Sequence, residues 1–182
     1  MNVTYDGMEH CMDPATPVVA LIEALRDEDW QIRFAAAVAL GDRRESVAVE
    51  SLLEALQGED RAPLYSQRTE LAGIPAGSPD GHAPAFPPGT TEETRSAWAR
   101  RGRVKQAVCY ALGEIGLVDL RVLGFLQRYA TDQGEDYMVR AAANKALGRL
   151  PHPSNRPVLE QAAADPEWCT QTEGRKALAA LT

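Results

Sequence analysis

The chain is poor in the residues that most catalytic or extracellular folds depend on. It has only three cysteines in 182 residues, Cys11, Cys109 and Cys169, widely spaced and never in a C-x-x-C pair. An odd, scattered set argues against a disulfide framework and points to a reducing, cytoplasmic setting. Histidine is equally scarce. His10, His82 and His152 fall in a tail, a Pro/Gly-rich stretch and a turn, with no H-E-x-x-H or other two-ligand helical spacing. No metal site and no cofactor are expected from that pattern. There is no G-x-S-x-G and no P-loop. Cys109 stands one turn from Lys105, but no histidine accompanies it, so it reads as an ordinary small residue rather than a nucleophile. No apolar run approaches the roughly 18 residues needed to span a bilayer, and the N-terminus lacks a basic, apolar leader. No stretch alternates with period two for long enough to make a strand.

What the chain has instead is a phrase written three times. Ile32-Arg33-x-Ala35-Ala36-x-x-Ala39-Leu40-Gly41 is followed by Val104-Lys105-x-Ala107-Val108-x-x-Ala111-Leu112-Gly113 and by Val139-Arg140-x-Ala142-Ala143-x-x-Ala146-Leu147-Gly148. A degraded fourth copy runs from Thr170-Gln171 to Ala177-Leu178-Ala179. The copies start 72, 35 and 31 residues apart, so one unit is about 31 to 36 residues and the first interval holds an insertion of roughly 40. A unit of that length accommodates two helices.

Capping signals place the helices. Thr16 with Pro17 predicts the start of a helix bearing Val18, Leu21, Ile22 and Leu25, and Asp29 predicts the start of its partner. Gly41 reads as a left-handed stop. Val47 to Leu56 forms the first helix of unit two, stopping near Gly58. Asp119 and Asp136 cap the two helices of unit three, while Ser154 and Asp165-Pro166 start those of unit four, the last ending at Leu181. The Ala-rich stripes read as core where helices approach closely. Asp29 with Arg33, and Asp136 with Arg140, read as caps and rungs of a ladder between repeats. The expected fold is an all-α superhelix of about four helix pairs, with residues 1–15 as a tail and 16–182 as one domain.

The pattern Asp-x-x-Val/Ile-Arg-x-Ala-Ala-x-x-Ala-Leu-Gly resembles the HEAT repeat, in particular the short prokaryotic form named for phycobilisome lyases. The resemblance covers residues 17–58 and 103–181. It implies an α-solenoid in which the second helices line a concave groove. It leaves function broad, because such repeats occur in scaffolds, bilin lyases, DNA glycosylases and a metal-dependent hydroxylase. The paired His-Glu motifs of that hydroxylase are missing here.

Residues 61–90 depart from the pattern. They hold Pro63, Pro75, Pro79, Pro84, Pro87 and Pro88 with four glycines, which predicts an inserted loop. Tyr65 and Phe86 could give it a small core of its own. Unit two has Arg101 where its neighbours have a capping Asp, whereas Thr90-Thr91-Glu92-Glu93-Thr94 upstream carries cap residues and first-turn acids. One extended helix from about Thr91 to Ile115, roughly 36 Å long, is the prediction, with Gly102 as a weak point. Residues 61–105 carry seven Lys and Arg against four acids, so a net −7 chain has a +3 segment on a −10 remainder.

Two surfaces are candidates for binding. One is the arm, with Arg95, Trp98, Arg100, Arg101 and Arg103, a composition suited to an acidic peptide. The other is the groove, whose variable repeat positions give Trp30, Phe34, Val38, Gln106, Tyr110, Asn144 and Lys145. The acidic total and the lack of a basic row on those helices argue against nucleic acid. The leading expectation is a non-enzymatic scaffold for a protein or peptide partner; the alternative is a bilin-lyase-like or chaperone-like factor. Gln171 and Glu173 make the last copy a polar end. Val3, Tyr5 and Met8 would have to cover the first unit, or a homodimer would form there.

Overall fold

The computed structural model describes residues 12–61 and 89–181, and all structural statements concern those residues. They form eight α-helices and one short 3-10 turn, with no strand among them. The helices are α1 (Val18–Ala24), α2 (Trp30–Asp42), α3 (Val49–Arg61), α4 (Glu92–Ile115), α5 (Leu120–Thr131), α6 (Tyr137–Arg149), α7 (Asn155–Ala163) and α8 (Trp168–Ala180); the 3-10 turn Ser46–Ala48 leads into α3. The tail residues Val3, Tyr5 and Met8, and the inserted Tyr65 and Phe86, lie outside the described residues.

The helices pair as α1–α2, α3–α4, α5–α6 and α7–α8. The second helices then stack in order, α2 on α4, α4 on α6 and α6 on α8. One apolar core runs the length of the stack, with Leu40, Leu52, Leu56, Leu112, Leu123, Leu126, Leu147 and Leu159 shielded from solvent. A continuous core of this kind is how short helix pairs that cannot fold alone become stable.

The recurrent Ala-Leu-Gly sets the distance between second helices. A Cβ on Gly41 would fall 2.7 Å from Ala111 Cα, one on Gly113 would fall 2.9 Å from Ala146 Cα, and one on Gly148 would fall 2.8 Å from Ala177 Cα. Each glycine therefore packs on the alanine of the same phrase one unit later. Gly41 is not a helix stop, contrary to its reading from sequence. It is buried inside α2, and the left-handed residue is Arg44, at φ 53°. The glycine that does end a helix left-handed is Gly116, where α4 stops at φ 73°.

Other boundaries also shift. Asp29, Asp119 and Asp136 cap their helices by accepting backbone N–H groups. Thr16 does not cap α1, which starts after Pro17 without a side-chain cap. Gly58 does not stop α3, which continues to Arg61. Ser154 precedes α7 but makes no cap bond, its hydroxyl lying instead against His152 Nδ1 and accepting from Gln127. The cap of α8 is Glu167, which accepts from the Thr170 N–H at 2.9 Å, while Asp165 serves the ladder. Thr91 caps α4 by accepting from Thr94 N–H, and the helix runs unbroken through Gly102.

Candidate functional site

The repeated basic residue builds a ladder along one edge of the stack. Arg33 donates to the carbonyls of Asp27 and Glu28 in its own turn, at 2.7 and 3.0 Å, and reaches Glu59 of the next unit at 2.8 Å. Lys105 donates to Asp60 of its own unit and to Glu135 of the next, both at 2.6 Å. Arg140 bonds Gln133 in its own turn at 2.6 Å and Asp165 in the next at 3.0 Å. Gln171, the last rung, reaches only the Asp165 carbonyl. Each cation therefore fastens two successive turns, and Asp29 and Asp136 act as caps beside it rather than as its partners.

The middle rung is the most deeply buried. Lys105 has no solvent exposure, and its ammonium lies 4.8 Å from the centre of the Tyr129 ring. The Tyr129 hydroxyl donates to Asp60 at 2.6 Å, and Arg128 binds the same carboxylate. Burial pushes Asp60 upward, but the bond and charge of Lys105, the Tyr129 bond and the Arg128 charge outweigh it and hold the carboxyl below its ordinary value. Burial and the Asp60 bond push the Tyr129 hydroxyl far up, so it stays a donor. Asp136 behaves oppositely. Burial raises it to about 6 against its bond from Met138 N–H, and its Oδ2 lies 2.6 Å from where a Cβ on Gly102 would be. A side chain at 102 would collide with that carboxylate, which accounts for a glycine inside the longest helix.

The expected groove residues separate into two sets. Phe34, Gln106 and Asn144 are buried within the stack. Both polar side-chain atoms of Asn144 are enclosed without a hydrogen-bond partner. Trp30, Val38 and Tyr110 are half-buried and Lys145 is exposed. Tyr110 donates to Asp42 at 2.5 Å, and Glu114 pairs with Arg149 at 2.6 Å and with Arg44 at 3.9 Å. Cys109 is sealed in the core, where burial pushes its thiol up to about 12 despite nearby Lys105. A thiol so raised is a poor nucleophile.

The arm residues lie on the first part of α4. By repeat register Gly102 matches Trp30 and Tyr137, so the stretch Glu92–Arg101 extends α4 beyond the start of its equivalents, by roughly 15 Å at 1.5 Å per residue. Arg95, Arg100 and Arg103 are exposed along it, while Trp98 and Arg101 are half-buried. Sequence reasoning did not find the acids that answer Lys105. Asp60 and Glu135 sit at irregular distances from the phrase, and only the recurrence of a cation in every unit signalled that partners existed.

These features define a class first: a solenoid of stacked helix pairs whose successive second helices touch through Gly–Ala contacts. The family model for HEAT repeats matches residues 8–70 and 96–179, and the chain belongs to that family. No curated protein matches it. Repeats of this family commonly serve as protein-interaction scaffolds. Among the described residues no helix is long and apolar enough to cross a membrane.

Proposed function

We propose that the chain is a non-enzymatic interaction scaffold that binds an acidic segment of a protein partner along the projecting part of α4. The observation that carries this reading is the exposure of Arg95, Arg100 and Arg103 on one helix that outreaches its neighbours, in a chain of net charge −7. Such a ridge attracts acidic surfaces and forms bidentate contacts with their carboxylates. Trp98 adds a half-buried aromatic anchor beside it. Tyr110 and Lys145, on the second helices, offer a neighbouring contact surface.

The test is capture of a partner at several salt concentrations by the full chain and by R95E/R100E/R103E. A stoichiometric protein partner that is lost on charge reversal and weakened by salt supports the arm. A partner retained by that variant but lost in Y110A/K145E moves the site to the second helices. Salt-sensitive binding of duplex DNA in place of a protein overturns the reading.

A further inference from the structure

A cavity of about 350 Å³ opens between the first two units, near the ladder edge. Its existence follows from repeat register. Aligning Leu52-Leu53 of α3 with Val122-Leu123 of α5 matches Ala55 to Phe125 and Gly58 to Arg128. Between units two and three, Phe125 packs on the core and Arg128 reaches Asp60. Between units one and two, the smaller Ala55 and Gly58 leave the corresponding space open, and a Cβ on Gly58 would meet nothing within 4 Å. α1 ends at Ala24, and the residues that follow it, Leu25, Arg26 and Asp27, form part of the wall.

The lining is specific in its charge. Leu25 and Ala55 are the apolar residues of the lining, and Arg26, Arg33 and Arg101 share it with Asp27, Glu54 and Glu59, three cationic residues and three acidic ones. Arg101 stands where units one, three and four place the capping acids Asp29, Asp136 and Glu167, an exchange open to unit two because α4 runs through that position and needs no cap there. Arg33 and Glu59 are committed to each other, and Asp27 Oδ1 accepts the Asp29 N–H. The Arg26–Glu54 pair is exposed on both sides, so its partners exchange at little cost. A lone anion entering this space meets three carboxylates, a lone cation meets three guanidiniums, and an apolar guest strips water from all six. A guest carrying both signs avoids each penalty. The volume lies at the lower end of small-molecule sites, about 300–1,000 Å³.

We infer that this cavity binds a small zwitterion of the free amino-acid class, its carboxylate toward Arg26 and Arg101, its ammonium toward Asp27 and Glu54, and its aliphatic part over Leu25 and Ala55. The site shares α4 with the exposed ridge through Arg101 but uses none of Arg95, Arg100 and Arg103. The experiment is a titration of the isotope-labelled full chain with each common amino acid at millimolar concentration, following the amide signals of Ser51 and Gly58. Acetate and methylammonium serve as single-charge controls. Saturable shifts with at least one amino acid and with neither control are expected. Gly58→Leu adds a side chain at the cavity wall, where a Cβ meets nothing within 4 Å, and should weaken binding about ten-fold or more; Ala55→Phe, the residue type α5 carries at this register, is the second filling variant. Absence of any saturable shift overturns the inference. So does an equal response to acetate, or binding unchanged in both filling variants when each keeps the helical circular dichroism of the parent.

Discussion

The first and second junctions of the stack are made from the same repeat and solved differently. Between units two and three, a lysine without solvent exposure is enclosed by Asp60, Glu135 and the Tyr129 ring, Arg128 binds the same Asp60, and Phe125 packs on the core. Between units one and two, Arg33 keeps 19% of its side chain exposed, pairs with one carboxylate, and lies at the wall of a cavity. The second helices are spaced alike at both junctions, by Gly41 on Ala111 and Gly113 on Ala146. The difference therefore resides in the row of first helices. The repeat phrase fixes how second helices stack, and leaves the first helices free to make one junction sealed and the next open.

The largest effect should come from the sealed junction. Lys105→Met leaves the buried Glu135 and the half-buried Asp60 without their shared cation, and should cost about 3–5 kcal/mol in urea unfolding. Arg33→Met, at the open junction, should cost less, about 1–3 kcal/mol, because water reaches the site and one carboxylate is involved rather than two. Equal losses would mean that the two junctions are energetically alike despite their geometry. The triple variant K105M/D60N/E135Q should recover much of the loss, since it removes the unpaired charges together with the lysine.

Asp136 gives the sealed junction a pH dependence. Its carboxyl is raised in the fold from 3.8 to about 6, with burial the main cause, Glu135 adding to it, and Arg103 and Arg140 opposing. The folded chain thus holds a proton that the unfolded chain releases between those two values. The stabilisation is complete below 3.8 and is lost as pH rises to about 6, a change of roughly 3 kcal/mol. Asp60 works in a different window: its lowered value gives stability above 3.8 that is lost as pH falls through its folded value. Asp136→Asn keeps a good cap but cannot ionise, so it should flatten the fall on the rising side and stabilise the neutral-pH protein. Urea midpoints across that range check this. A variant that falls in parallel with the parent shows that Asp136 is not the titrating group.

Gly113→Ala and Gly41→Ala test the feature the junctions share. Either methyl would meet helix backbone at less than 3.0 Å, and overpacking of this kind costs about 1–3 kcal/mol. Similar losses are expected at the two sites. A markedly smaller loss at Gly41 would show that the open junction extends into the second-helix row.

Much of this was written in the local sequence. The helix pairs followed from a three-fold phrase, and the long α4 from two adjacent facts, Arg101 in a capping position and Thr91 with two acids after it. These are short-range signals, decided within one turn of helix. The role of the recurrent glycine was not legible, because a stop and a crossing contact place the same residue at the same position, and only the neighbouring helix distinguishes them. The candidate groove divided for the same reason: Phe34, Gln106 and Asn144 occupy variable positions whose burial depends on the tilt between stacked helices. The cavity depended on a comparison no single unit contains, Ala55 and Gly58 against Phe125 and Arg128.

The smallest predicted effect bears most directly on that last comparison. Gly58 lies inside α3, where glycine costs about 0.5–1 kcal/mol relative to alanine through backbone entropy, and no contact requires its lack of a side chain. Gly58→Ala should therefore raise stability by about that amount, in contrast to Gly41→Ala and Gly113→Ala. The three variants share one chemical change but differ in what the added methyl meets, backbone in two cases and open space in the third. If Gly58→Ala destabilises, the space is filled in solution and the two junctions are closer in structure than they look. If it stabilises, the added methyl meets the open space found at this exposed position of α3, and the first junction is the looser of the two in solution as well.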